Sequence, residues 1–329
     1  MHSTRLGATG PTVSALGLGA MGMSDFYGPA DEAESRATID AALEAGVTLI
    51  DTGDFYGMGH NELLLREALG GRRDQAVVSV KFGALRDPAG GFGGFDARPA
   101  AVKNFLAMSL KRLGTDHIDI YRPSRLDPNV PIEDTIGAIA DMVKAGFVRH
   151  IGLSEVGAET IRRAAAVHPI VDLQIEYSLI SRGIEADILP TCRALGIGVT
   201  AYGVLSRGLL SGGWVPTPGD RRARAFPRFA GQNLAQNQSL AATLAEIAAA
   251  RGATASQLAI AWCLHKGADI VPLVGARRRD RLSEALGALN ISLSAHELAA
   301  LEAAVSPSVA AGDRYDEHGM RALDSERRP

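Results

Sequence analysis

The chain has 329 residues, 46% of them hydrophobic and 22% charged, a composition that excludes a disordered protein and supplies ample material for a core. The 37 acidic and 34 basic residues leave a net charge of −3, which gives no general attraction to nucleic acid or to an anionic membrane. Cys192 and Cys263 are the only cysteines, too few for a disulfide framework or a cysteine metal cluster. No apolar run approaches the roughly 20 residues of a membrane helix, and the N-terminus lacks a signal peptide's apolar stretch. A reducing cytoplasm is the expected compartment.

In chain order, residues 5–14, with Thr9-Gly10 between polar neighbours, predict a small hairpin closing one end of the fold. Short segments rich in β-branched residues follow at 15–21, 47–52, 76–81, 117–122, 148–154, 171–177, 197–202 and 269–274. Helical patterns separate them. Asp31-Glu32-Ala33-Glu34 reads as a capping box for a helix that stops at Gly46. Ile132, Ile136, Ile139 and Val143 recur at helical spacing behind Pro131 and end at Gly146. Other patterns lie near 61–69, 99–113, 158–167, 184–195, 240–250, 255–266, 279–286 and 295–304. Strand then helix, eight times over, predicts a (β/α)8 TIM barrel in one domain spanning residues 1–329, with a doubly wound open sheet as runner-up. Residues 82–98 and 203–236 are long stretches outside the repeat, read as rim loops. The polar tail after Pro307 reads as a mobile end.

Gly17-Leu18-Gly19-Ala20-Met21-Gly22 matches the GxGxxG dinucleotide pattern, which requires a helix to begin within the motif and face the pyrophosphate. Here a loop follows and the helix starts only after Asp31, so the run is a glycine-rich first strand with a tight rim turn.

Barrel chemistry gathers at the C-terminal ends of the strands. Those ends carry Asp51, Lys81, Ser124, Ser154, Gln174 and Tyr202, and Tyr56 follows Asp51 by five residues. An Asp and a Lys on neighbouring strands predict an ion pair at the barrel mouth. A tyrosine beside that lysine would feel its charge, and its pKa would fall from about 10 toward neutrality. Tyr56 is then a candidate proton donor to a carbonyl oxygen. The blander interpretation is a structural Asp–Lys pair beside an unrelated tyrosine, and the spacing alone does not choose.

Several runs in register carry a resemblance. They are Asp51-Thr52-Gly53-Asp54-Phe55-Tyr56-Gly57 with Gly59-His60-Asn61-Glu62, Val80-Lys81, Leu126-Asp127-Pro128, Ile151-Gly152-Leu153-Ser154-Glu155, Gln174-Ile175-Glu176-Tyr177-Ser178-Leu179, Ala201-Tyr202-Gly203-Val204-Leu205-Ser206-Arg207-Gly208-Leu209-Leu210 and Val271-Pro272-Leu273-Val274-Gly275-Ala276-Arg277-Arg278. From about Arg5 to Leu301 the chain resembles the aldo-keto reductases, in a bacterial branch related to the β subunits of potassium channels. The resemblance implies a barrel that binds NADP(H) across its C-terminal face and exchanges hydride between the cofactor and an aldehyde, ketone or alcohol. It gives Asp51, Tyr56 and Lys81 three places in a catalytic tetrad. Ser154 and Gln174 would hold the nicotinamide carboxamide, and Tyr202 would stack under the ring. Gly203, Val204, Leu205, Ser206, Arg207 and Gly208 would wrap the pyrophosphate. Gly275 closes the last strand of the cofactor side. Arg277, Arg278 and Arg281 open a helix, where guanidinium forks suit the adenosine 2′-phosphate of NADP(H). Glu284 matches an adenine contact, but Ala285 stands where the family has Asn.

The fourth tetrad member is a His in a His-Arg-Val-Asp-Pro-like run. This chain has Tyr121-Arg122-Pro123-Ser124-Arg125-Leu126-Asp127-Pro128, which puts Ser124 at the His position. A serine is a shorter, weaker donor to the substrate oxygen, and Arg122 is the candidate substitute. Phe26, Tyr27, Phe82 and Trp214 are the candidate pocket residues, with Phe92, Phe95, Phe226 and Phe229 as further rim aromatics and Trp262 as core. Three functional readings compete: an NADPH-dependent carbonyl reductase with a small-molecule substrate; a non-catalytic NADP(H)-binding sensor or regulatory subunit, supported by Ser124; and a metal-dependent barrel enzyme, for which no ligand cluster assembles at the strand ends. Substrate identity and oligomeric state stay open.

Overall fold

The computed structural model describes residues 1–24, 26–215 and 220–327. Eight parallel strands close into a barrel: β1 (Gly17–Gly19), β2 (Leu49–Gly53), β3 (Val77–Phe82), β4 (Ile118–Pro123), β5 (Val148–Ser154), β6 (Ile170–Glu176), β7 (Gly198–Tyr202) and β8 (Ile270–Gly275). Each pairs with its sequence neighbour, and β8 returns to β1. Helices cover the outside: α1 (Glu32–Glu44), α2 (His60–Ala68), α3 (Pro99–Leu113), α4 (Ile132–Lys144), α5 (Ala158–Val167), α6 (Ile188–Ala194), α7 (Gly231–Ala249), α8 (Ala255–His265), α9 (Arg279–Leu286) and α10 (Ala295–Ala304). This is the predicted TIM barrel.

The local signals explain the helix ends. Asp31 accepts the Glu34 amide at 2.9 Å and caps α1, and Gly46, with φ +83°, lets the chain leave it. Pro99 opens α3 and Gly114, in the left-handed region, closes it. Strands such as β6 are buried along their whole length, as a parallel sheet between two packed faces requires.

The N-terminal hairpin pairs Ser3–Arg5 with Thr12–Ser14. Its Leu6 and Val13 join Leu49, Ile120, Val171 and Val271 in a small apolar cluster at the barrel's N-terminal end, and the Ala8 amide donates to Gly196 O at 2.7 Å. The hairpin plugs the bottom of the barrel.

Two expectations need correction. Part of the 82–98 stretch is a second antiparallel hairpin, Ala84–Arg86 with Phe92–Phe95. The tail after Pro307 is not a loose end but packs across the mouth. Asn237 of α7 exchanges two hydrogen bonds with Ala311, at 2.8 and 2.9 Å, and Asp324 accepts the Gly157 amide at 2.8 Å ahead of α5. A polar sequence hides this docking because its anchors are hydrogen bonds and ion pairs rather than an apolar face. Among the described residues no helix is long and apolar enough to cross a membrane, and no group of three or more His, Cys, Asp or Glu could hold a metal ion.

Candidate active site

Strand register brings the expected residues together. Asp51 is level with Ser79 and Gly53 with Lys81 across β2 and β3, and Lys81 is level with Arg122 across β3 and β4. Lys81 Nζ forms a buried ion pair with Asp51. The other Asp51 oxygen accepts from Ser79 Oγ at 3.0 Å and from Gln174 Nε2 at 2.7 Å. Tyr56 begins a tight turn in which Gly57 and Met58 both have φ +55°. Tyr56 is buried, and Lys81 Nζ lies 5.1 Å from its ring centre.

The charge balance differs from expectation. Burial, reinforced by Asp51, pushes the Tyr56 hydroxyl well above its ordinary pKa rather than toward neutrality. Lys81 cannot reverse this, because Asp51 neutralises it and burial lowers its own pKa to about 8. Tyr56 is therefore protonated throughout the physiological range.

Arg122 and Phe82 do not line a pocket. Arg122 points into the barrel interior, where it is fully buried. There Nη1 lies 3.0 Å from Asp172 Oδ2 and Nη2 donates to Ser79 Oγ at 2.9 Å. It lies beneath the mouth, held by groups of the barrel interior. Phe82 is also fully buried and stacks on Tyr121 with ring centres 4.3 Å apart. Both side chains belong to the barrel rather than to the rim. Ser124 sits at the end of β4, its amide bonded to Phe82 O at 2.8 Å, while its buried hydroxyl has no partner among the described residues. Among them the buried hydroxyl of Ser154 is likewise without a partner.

Above these residues lies a cluster that the sequence reading missed. Glu155, with φ +53°, is fully buried. It receives Arg314 on both oxygens at 3.0 and 2.9 Å, Tyr202 OH at 2.6 Å and Ser325 Oγ at 2.7 Å. Burial alone would raise its pKa, but the charge and hydrogen bonds of Arg314 more than offset this and hold the carboxyl below its ordinary value. Glu176 lies 3.2 Å from Arg207, 3.4 Å from Arg228 and 3.5 Å from Arg314. Tyr315 OH is 3.0 Å from Tyr202 OH, and the Arg207 guanidinium lies against both the Phe226 and Tyr315 rings, 4.3 and 4.5 Å from their centres. Glu155 and Glu176 do lie at strand ends, where polar residues signal a site. Nothing near Arg314 in sequence marks it.

The remaining candidates are dispersed around the rim. Gly203, Ser206, Arg207 and Gly208 all have positive φ, which coils the β7 loop tightly, with Ser206 N bonded to Gly203 O at 2.6 Å. Val204 and Ser206 are buried beneath it, with Leu205 partly so. Trp214 packs edge-on against Phe229 at 4.7 Å, and Arg222 lies 5.3 Å from both the Tyr27 and Trp214 rings. Phe26 is exposed and touches Tyr27 edge-on at 5.1 Å. Beyond β8, Gly275 faces open space. Arg278 pairs with Asp280, and Arg281 pairs with Glu284. Arg279 pairs with Glu34, which also accepts its amide at the start of α9. Arg277 donates to the carbonyls of Gly28 and Pro29, at 3.1 and 3.0 Å.

Comparison with known proteins agrees with this architecture. The glycerol dehydrogenase of Gluconobacter oxydans superposes with a TM-score of 0.84 at 26% identity, over 99% of this chain and 98% of that one. A thermostable aldo-keto reductase in complex with the inhibitor epalrestat superposes with a TM-score of 0.75 at 30% identity, over 92% of this chain and all of the other. The family model described as the aldo/keto reductase family matches residues 15–306. The chain therefore belongs to the aldo/keto reductase family of oxidoreductases.

Proposed function

We propose that this protein is an NADP(H)-dependent carbonyl reductase, or the alcohol dehydrogenase of the reverse reaction, with Tyr56 as proton donor. The observation that carries the reading is the convergence of Tyr56, Lys81 and Asp51 in one buried cluster at the strand ends. A glycerol dehydrogenase among the similar structures supports the alcohol–carbonyl pair.

The residues present fit the cofactor. The Ser154 hydroxyl is buried and unpartnered among the described residues, which is costly unless a ligand amide meets it. Gln174 spends its amide NH on Asp51, so its oxygen is the atom for the carboxamide. Gly203 to Gly208 would enclose the pyrophosphate. Arg277, Arg278 and Arg281, with Glu284 beside them, would hold the adenosine end, and Arg277 has no carboxylate partner among the described residues. When bound, NADPH supplies hydride to the carbonyl carbon.

The protein's own groups do the rest. Tyr56 passes its proton to the carbonyl oxygen as negative charge develops there. Lys81 stabilises the resulting tyrosinate, and Asp51, braced by Ser79 and Gln174, fixes the ammonium. Ser124 offers a short hydroxyl where the related enzymes carry an imidazole. The test follows NADPH oxidation at 340 nm over a panel of aldehydes and ketones, with wild type beside Tyr56→Phe and Ser124→His. Turnover abolished in Tyr56→Phe is the expected result, with Ser124→His shifting the substrate profile. Tight NADPH binding with no turnover of any panel member would instead favour the sensor reading.

A further inference from the structure

Among the described residues, Arg207, Arg228 and Arg314 pair with Glu176 or Glu155 at the mouth, and Arg222 pairs with Asp220. Arg125 has no such carboxylate. Its Nη1 donates to Ser124 O at 2.6 Å and its Nη2 to Tyr315 OH at 3.2 Å, with the guanidinium 5.9 Å from the Tyr315 ring centre. Among the described residues it forms no ion pair. The guanidinium is half-buried, and Glu155 favours its charge from beyond ion-pair distance; a carboxylate in contact would add hydrogen bonds that Glu155 does not supply.

Its strand position differs from that of the β7 loop and α9, while Tyr315 touches both Arg125 and Arg207. Arg125 follows β4, which lies between the strands of Lys81 and Ser154. The pyrophosphate loop and the α9 arginines follow β7 and β8, on the other side of the barrel. The neighbouring Ser124 hydroxyl is buried and unpartnered among the described residues, and Tyr315 links Arg125 to Tyr202. Arg125 is close enough to Tyr56 and Lys81 for its charge to act on both.

We propose that Arg125, held by Tyr315, is a specificity-determining residue that binds a carboxylate on the substrate, so that the preferred substrates are oxo acids and carboxylate-bearing aldehydes. The inference rests on the carbonyl-reductase reading. A planar guanidinium fork matches a carboxylate in two parallel hydrogen bonds. The carboxylate is unchanged in the reaction: hydride from NADPH and one proton convert the C=O to CH–OH and release NADP+.

The experiment compares matched substrates, succinic semialdehyde against pentanal and phenylglyoxylate against its methyl ester, in wild type, Arg125→Met and Arg125→Lys. Wild type should favour the acids through KM. Arg125→Met should lower kcat/KM for the acids about a hundredfold more than for the neutral partners, with Arg125→Lys recovering part of the gap. Thermal unfolding reports whether each variant is folded. Calorimetry with phenylacetate and phenylacetamide on the NADP+-loaded protein reads the same site without turnover. Wild type should bind the acid at least tenfold more tightly, and Arg125→Met should lose that margin. Equal losses on acids and neutral partners, no wild-type preference, or no binding of phenylacetate would each overturn the assignment. Turnover of neutral carbonyls alone would leave the reductase reading intact and remove this one. Absence of all turnover would remove the reductase reading, while the calorimetry would still decide Arg125.

Discussion

Two groups of buried charges sit one above the other in this molecule, and they are built differently. The lower group, Asp51, Lys81, Arg122 and Asp172, is carried by the barrel strands β2, β3, β4 and β6 and balances acid against base. Its geometry follows from strand register, which fixes side chains on a rigid frame. The upper group sets Glu155 and Glu176 against Arg207, Arg228 and Arg314. Here only the acids stand at strand ends. The cations come from the β7 loop, the segment before α7 and the tail, and Glu326 of the tail adds a third carboxylate at 2.7 Å from Arg314. The lower group is thus fixed by the barrel strands, whereas the upper one is assembled from loops and tail.

The largest expected effect belongs to the lower group. Tyr56→Phe should reduce kcat/KM by about a thousandfold while leaving the unfolding midpoint in urea nearly unchanged. A variant retaining a tenth of wild-type activity would show that Tyr56 is not the donor. Next come the paired arginines. Arg122→Met and Arg314→Met each strand a buried carboxylate and should each cost roughly 3–5 kcal/mol. They should differ in where the structure loosens. Hydrogen exchange in residues 308–327 should accelerate in Arg314→Met and stay protected in Arg122→Met. Equal exchange in the two would erase the distinction between frame and mouth.

The two groups should also respond to pH in different windows, each making stability rise with pH. Lys81 has its folded pKa lowered to about 8 from 10.5 by burial. The native state then binds fewer protons than the unfolded chain between those values, so this group makes stability rise with pH across that window. The loss of its charge above pH about 8 should depress the rate of reduction. Glu155, held below its ordinary 4.5 by Arg314 against the effect of burial, contributes stability that is present above 4.5 and is lost as pH falls toward its folded value. Urea unfolding of wild type, Lys81→Met and Glu155→Gln across pH should show the alkaline slope vanish in the first variant and the acid slope shrink in the second. The smallest effect is that of Phe82→Leu, about 1–2 kcal/mol of stability, with the order of substrate preference unchanged. A changed order would return Phe82 to the pocket.

Much of this was legible in the amino-acid sequence. The eightfold strand–helix alternation defined the barrel, because period and punctuation are local properties, and the strand-end rule collected Asp51, Lys81, Ser124, Ser154, Gln174 and Tyr202 at one mouth. Asp51 and Lys81 pair because adjacent strands in register leave their side chains little choice. Direction within a strand end was harder to read. Arg122 lies two residues before Ser124, yet it turns into the interior to meet Asp172, a partner on another strand that sequence spacing does not reveal. The titration of Tyr56 was also beyond the sequence, since burial and the neutralisation of Lys81 by Asp51 are sums over the surroundings. The tail shows the limit most plainly. Its composition gives no apolar periodicity, and Arg314 stands 159 residues from Glu155. Only the folded chain brings that guanidinium to two buried carboxylates, and with them decides how the mouth is closed, because a long-range ion pair has no local signature.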